Sequence, residues 1–298
     1  TRPLHDALPI FLTLCIAGLL HTNATHAQQA LVIDHTCTDV SRIPSCWIEA
    51  AKARWRVTYG HTSHGSQIVS GMNFLNPDNG AAGSSCPSCN GYSCGGCLYD
   101  FCDDYYFYRY GTGNDPAPPG TLSFWDRRFQ GASDLGNPDR TSWEVATRTM
   151  LDDPRFSNRN LVIWSWCGQA DTTPENMQTY LDLMSGLEAD YPNVVFVYMT
   201  GHLNGTGVNG NLNQRNNQIR THVLNTGGVL FDFADIESYD PSGNHYPNTS
   251  DDCTWCESWC RSHPADCAVL PSSCAHSHPF NCVLKARAFW WMMARSNL

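Results

Sequence analysis

Asn160-Leu161-Val162-Ile163-Trp164-Ser165-Trp166, closing on Cys167-Gly168-Gln169, is almost continuously apolar and stops at a glycine. A strand with one wet face alternates polar and apolar residues, so an unbroken apolar run this short suits a strand covered on both faces. Three other runs read the same way. Arg56-Val57-Thr58-Tyr59 ends at Gly60, Val194 to Met199 ends at Thr200-Gly201, and Gly228 to Phe233 closes the set. Helical periodicity lies between and after them. From Pro174 to Tyr191, the residues Met177, Tyr180, Leu181, Met184, Leu187 and Tyr191 share one face, with Pro174 tolerated in the first turn. Asn211 to Leu224 reads as a polar helix and Leu284 to Arg295 as a strong closing one. The alternation predicts an α/β fold, a three-layer α/β/α sandwich with a mostly parallel sheet and right-handed crossovers.

Outward from this frame, the first residues read as a leader. Arg2 precedes an uncharged run from Ala7 to Leu20, and small residues around Thr25-His26-Ala27 follow. The run is shorter than the roughly 20 residues a membrane span needs, so a secretory signal peptide over 1–27 is expected, with one mature domain over 28–298. No later segment is apolar enough to span a bilayer. The chain holds 15 cysteines, one of them Cys15 in the leader, and the remaining even number suits full disulfide pairing in an oxidising compartment. Cys86/Cys89 and Cys94/Cys97 are CxxC pairs that also suit zinc, but four residues between the pairs make a tight loop for a tetrahedral site. Gly-, Pro-, Ser- and Cys-rich stretches near 76–140 and 238–273 read as disulfide-stapled insertions. A net charge of −10 with no basic cluster argues against nucleic acid as a partner.

Ligands of parallel α/β sheets gather at the carboxyl ends of the strands. Three strand exits carry unusual polar residues: Gly60-His61-Thr62-Ser63-His64-Gly65-Ser66-Gln67, Trp166-Cys167-Gly168-Gln169-Ala170-Asp171 and Thr200-Gly201-His202-Leu203-Asn204-Gly205. A serine at a strand-to-helix turn can expose its hydroxyl, and it attacks only when a base takes its proton. Bases stand at His276 and His278, just before the closing helix. The Gln169 amide can donate to an oxyanion, and Gly168 permits close backbone approach.

This order of a serine turn, a Gly–amide block and a late histidine resembles the SGNH (GDSL-like) hydrolases, in the variant with a His-x-Ser-x-Gly turn. The likeness implies a serine esterase without a cofactor, acting on small esters or on an ester-decorated polysaccharide. Ser63 would be the nucleophile, His276 (less well His278) the base, and Gly168-Gln169 the oxyanion block with glutamine in place of asparagine. Gly131 or Gly136 would supply a further N–H. The family's Asp three residues before the histidine is Ser273 here, so a carbonyl, Asp235 or Glu237 would have to orient the imidazole. His61, His64, His202 and Asn204 would line the substrate.

Other readings stand beside this one. Ser63 is also a favoured helix cap. His61, His64, His202 and His276 could share zinc or copper. Cys167 reads as a disulfide partner or buried thiol rather than as a nucleophile, and Asn204 as a turn residue. The missing Asp and the heavy stapling also suit a non-catalytic carbohydrate binder or structural subunit on a hydrolase-like frame.

Overall fold

The computed structural model describes residues 29–75, 107–108, 117, 120–127 and 129–296. The expected leader and both CxxC pairs lie outside the described residues. Seven strands make one sheet: β1 (Leu31–Ile33), β2 (Arg56–Gly60), β3 (Phe107–Tyr108), β4 (Leu122–Asp126), β5 (Leu161–Trp164), β6 (Val195–Met199) and β7 (Val229–Phe231). Their order is β1-β7-β6-β5-β2-β4-β3, and every neighbouring pair is parallel. From β2 the chain moves outward to β4 on one side, then returns to β5 on the other. The reversal leaves a crevice between the carboxyl ends of β2 and β5, where such folds hold ligands.

Helices cover both faces, as the unbroken apolar runs require. On one face lie α1 (Ser45–Arg54), α2 (Ser66–Leu75) and the last long helix, Pro279–Arg295. Their Ile48, Ile68, Met72 and Phe289 share a core with Val57, Tyr59, Phe124 and Ile163. On the other lie α3 (Ser142–Leu151), α4 (Pro174–Asp190) and α5 (Asn211–Thr226). Their Trp143, Leu181 and Ile219 pack with Val162, Trp164, Phe196 and Tyr198. Alternate residues of β5 thus enter opposite cores, because side chains of a strand point to its two faces in turn. A short α6 (Phe233–Ser238) follows β7, α7 (Thr254–Ser262) lies in the second Cys-rich stretch, and Pro279–Arg295 is α8. α2 and α8 meet closely at Gly71, where a Cβ would stand 2.0 Å from the Cys282 carbonyl oxygen.

Three expectations change. The stretch 76–140 is not solely an insertion over the sheet, since Leu122–Asp126 is a fully buried interior strand. Ser123 and Asp126 interrupt its apolar run, and Gly- and Pro-rich flanks surround it. α8 begins at Pro279 rather than at Leu284, because His278 accepts the Phe280 N–H at 3.1 Å and proline opens the first turn. Disulfides join Cys253–Cys256, Cys260–Cys267 and Cys274–Cys282. Full pairing is not reached, since Cys37, Cys46 and Cys167 are free thiols. The three bonds fit an extracytoplasmic protein. Among the described residues no helix is long and apolar enough to cross a membrane.

Candidate active site

The turn after β2 is fixed from several sides. The Tyr59 hydroxyl donates to the Gly65 carbonyl at 3.0 Å. His61 Nε2 bonds Asp126 Oδ1 at the end of β4 at 2.6 Å, and Thr62 Oγ1 donates to Asp134 Oδ2 at 2.6 Å. Gly65 is required by space, since a Cβ there would fall 2.1 Å from Ser165 Oγ and 2.4 Å from the His61 Cβ. The turn therefore presents Ser63 and His64 at the head of α2, over the crevice beside β5. His61, expected to line the substrate, is instead buried as an anchor of the turn.

Cys167, on the neighbouring strand exit, faces both residues. Its Sγ lies 3.5 Å from Ser63 Oγ and 3.2 Å from His64 Nδ1. His64 Nε2 lies 2.9 Å from Asp251 Oδ2. A carboxylate can only accept, so Nε2 carries the proton and Nδ1 is left to accept from the thiol. Asp251 is placed by its own N–H, which donates to the Leu203 carbonyl at 3.0 Å, and by the antiparallel bridge between Ser250 and Asn204. A thiol, an imidazole and a carboxylate thus form one hydrogen-bonded line, the arrangement that orients a base and stabilises its charged form.

The His64 ring is buried between two others, His202 at 4.1 Å and His276 at 4.3 Å between centroids, all nearly parallel. Burial pushes His64 down to about 4; the bond to Asp251 opposes this, and the two stacked imidazoles add to it. His64 is therefore a neutral base at pH 7. Below the stack a buried ammonium ties its supports together. Lys285 Nζ donates to Gln67 Oε1 and, at 2.5 Å, to Glu237 Oε1. Gln67 in turn donates to the Ala275 carbonyl at 2.6 Å, and Glu237 Oε2 accepts the Leu203 N–H at 2.8 Å. The neighbours of His276 and His202 are thereby bound to one buried ion pair.

The expected residues fall into three groups. Ser63, His64, His202 and His276 meet in the crevice, but Ser63 Oγ touches the Cys167 thiol and no imidazole among the described residues. His276 is exposed, holds a left-handed φ of +61°, and is carried on a loop pinned by Cys274–Cys282. Gln169 and Gly168 border the crevice. Gln169 Oε1 accepts the Cys167 N–H at 3.0 Å, which leaves the amide NH2 to donate elsewhere. Gly136 packs against the Gln169 side chain, yet its N–H is bound to Asp134 Oδ1 at 2.9 Å, whereas Gly131 faces open space. Asn204 bonds Asp171 at 3.2 Å and Thr206, so it acts as a turn residue while also lining a cleft beside His202. His278 caps α8, and Asp235 binds His35 Nδ1 at 2.5 Å at the ends of β1 and β7. The carboxylate on the crevice is Asp251, inside a Cys-rich stretch that carries no catalytic signature. Cys167, expected as a disulfide partner or buried thiol, is instead a half-buried free thiol on the crevice.

His64, His202 and Asp251 also offer ligand atoms within 4.8 Å of one another. An imidazole lone pair lies in its ring plane, and zinc sits about 2.0–2.1 Å from the nitrogen. Two rings stacked at 4.1 Å with planes 7° apart cannot both aim at one ion without one of them turning. The same atoms suit proton transfer as they stand. In comparisons with known proteins, the chain matched no protein-family model, no curated protein and no solved structure.

Proposed function

We propose that the chain is an exported ester hydrolase working by covalent acyl transfer in the β2/β5 crevice, on small esters or on ester-decorated extracellular polysaccharide. The observation that carries this reading is the hydrogen-bonded line Cys167–His64–Asp251, with the Ser63 hydroxyl beside it, at the switch point of a doubly wound sheet. It supplies a nucleophile, a base already neutral at pH 7, and a carboxylate that keeps the imidazole in the needed tautomer. Oxyanion donors stand close by. The Gln169 NH2 is uncommitted, and the N–H groups of Ser63 and His64 meet no acceptor among the described residues. The SGNH likeness of the serine turn and the Gly–amide block supports the same reaction class. Export is supported by the leader-like first residues and the three disulfides.

The purified chain should hydrolyse p-nitrophenyl acetate and release acetate from an acetylated polysaccharide. The double variant Ser63→Ala/Cys167→Ala should be inactive while keeping the wild-type circular dichroism spectrum. Unchanged hydrolysis in that variant, or none by the wild type on either substrate, would sink the reading.

A further inference from the structure

The crevice holds two side chains able to attack a carbonyl carbon, and their surroundings differ. Ser63 Oγ has no base within hydrogen-bonding reach among the described residues; its neighbour is the Cys167 sulfur, 3.5 Å away. Cys167 Sγ has His64 Nδ1 at 3.2 Å, and that imidazole is held from behind by Asp251. Cys167 is only half-buried, so a substrate can reach it, while free Cys37 is buried and free Cys46 is exposed with no imidazole in contact among the described residues. The strand exit adds to this. Cys167 heads the short helical turn Gly168–Ala170, and its own N–H is fixed by Gln169 Oε1.

Resting on the hydrolase reading above, we infer that the Cys167 sulfur is the attacking atom, His64 its base and Asp251 the residue that positions His64. His64 Nδ1 takes the thiol proton as sulfur bonds to the ester carbonyl carbon. The C–O bond to the alcohol then breaks, and the alcohol leaves with the proton held by His64. Water, losing a proton to Nδ1, next attacks the thioester carbonyl. The C–S bond breaks, the acid departs and the thiol regains its proton. His64, pushed down to about 4, rests neutral with Nδ1 free to accept, so it can take the proton as the S–C bond forms. Ser63 then serves as a neighbour of the sulfur and a backbone N–H donor.

Three measurements on the full chain test this. In p-nitrophenyl acetate hydrolysis, Cys167→Ala should lower kcat/KM by about 10³-fold or more, and Ser63→Ala by less than about tenfold. The reverse pattern overturns the thiol assignment and leaves the hydrolase reading intact, whereas full activity in the double variant overturns both. Independently of any ester, iodoacetamide at pH 6 should alkylate Cys167 about tenfold faster than exposed Cys46, because His64 Nδ1 can take the Cys167 proton as the S–C bond forms, whereas Cys46 meets no imidazole among the described residues. His64→Gln should reduce Cys167 to the Cys46 rate. Equal rates at the two cysteines in the wild type refute the assignment. A trapped acyl-enzyme should carry its acetyl group on the Cys167 peptide and lose it to neutral hydroxylamine; acetyl on the Ser63 peptide counts against it.

Discussion

Replacing Lys285 by methionine removes the one ammonium that the Gln67–Glu237 pair encloses. Lys285 and Glu237 are each 0% exposed, and the ammonium also lies 3.5 Å over the Phe233 ring. Met fills nearly the same volume, so the loss isolates the charge. Glu237 is left buried with one oxygen still accepting the Leu203 N–H. Breaking a buried pair from one side costs about 3–5 kcal/mol, because the remaining charge is uncompensated. For a domain of this size that lowers Tm on the order of 10 °C. Burial already raises the Glu237 carboxyl, and Lys285 is the main influence opposing it. Without the ammonium the carboxyl rises further and takes up a proton at moderately acid pH. A folded-state value above the unfolded one means the folded form binds more protons between the two. The variant's deficit should therefore grow as pH rises from the ordinary carboxylate range to neutrality. Thermal unfolding followed by circular dichroism across that range reads both quantities. Lys285→Met/Glu237→Gln should recover more than half of the loss and flatten its pH slope, since a neutral amide still accepts from Leu203. A single variant within about 1 kcal/mol of wild type, or a double variant worse than the single, would refute the argument that this pair braces the loops of His202 and His276.

Four other outcomes follow from the site. With His64 pushed down to about 4, the acid limb of kcat/KM should lie near pH 4 instead of near 6.5, and a limb at 6.5 would show an ordinary exposed imidazole doing the work. The same depression makes the unfolded chain bind more protons between those values. Stability should therefore fall as pH drops from about 6.5 to 4, by about 3 kcal/mol in all, and His64→Gln should abolish that part of the slope in urea titrations. Asp251→Asn should keep the fold and KM but lower kcat about 10²–10⁴-fold, because an amide can hold the wrong imidazole tautomer; unchanged kcat would remove Asp251 from the mechanism. Gly65→Ala forces a Cβ onto Ser165 and His61, and should cost about 1–3 kcal/mol in denaturant titrations while displacing Ser63 and His64, with near-complete loss of hydrolysis.

The layered architecture was legible because its signal is local. The apolar runs at β2, β5, β6 and β7 and the stripe from Met177 to Leu187 announce two-sided burial without any knowledge of partners. β1 and β4 were missed because nothing local sets them apart. Leu31–Ile33 follows closely on the leader-like residues, and Leu122–Asp126 carries Ser123 and Asp126 among turn-forming residues, so neither reads as an unbroken apolar run. The three polar strand exits were found on the same local grounds, since a ligand crevice in this topology must lie there.

What sequence could not supply was the pairing inside the crevice, because it is decided by long-range closure. His64 and Asp251 stand 187 residues apart, and His64 and Cys167 stand 103 apart. Family likeness filled that gap with Ser63 and the late His276, the partners that order along the chain suggests. Three-dimensional placement brings other partners together, with His64 Nδ1 on Cys167 and Ser63 Oγ on the same sulfur. His276 meets the face of His64, where it can neither take a proton from Ser63 nor be reached by Asp235, which is spent on His35. A ring stacked in this way screens the central imidazole from water and helps hold it neutral; it does not bond to the nucleophile. The loops carrying the outer two rings are the ones bound to the Gln67–Lys285–Glu237 network. The late histidine can therefore matter for hydrolysis without being its base. His276→Phe, which keeps a flat ring on His64 and removes both nitrogens, separates these roles. It should retain kcat within about tenfold and leave the acid limb near pH 4, whereas loss of activity equal to that of His64→Gln would return the proton transfer to His276.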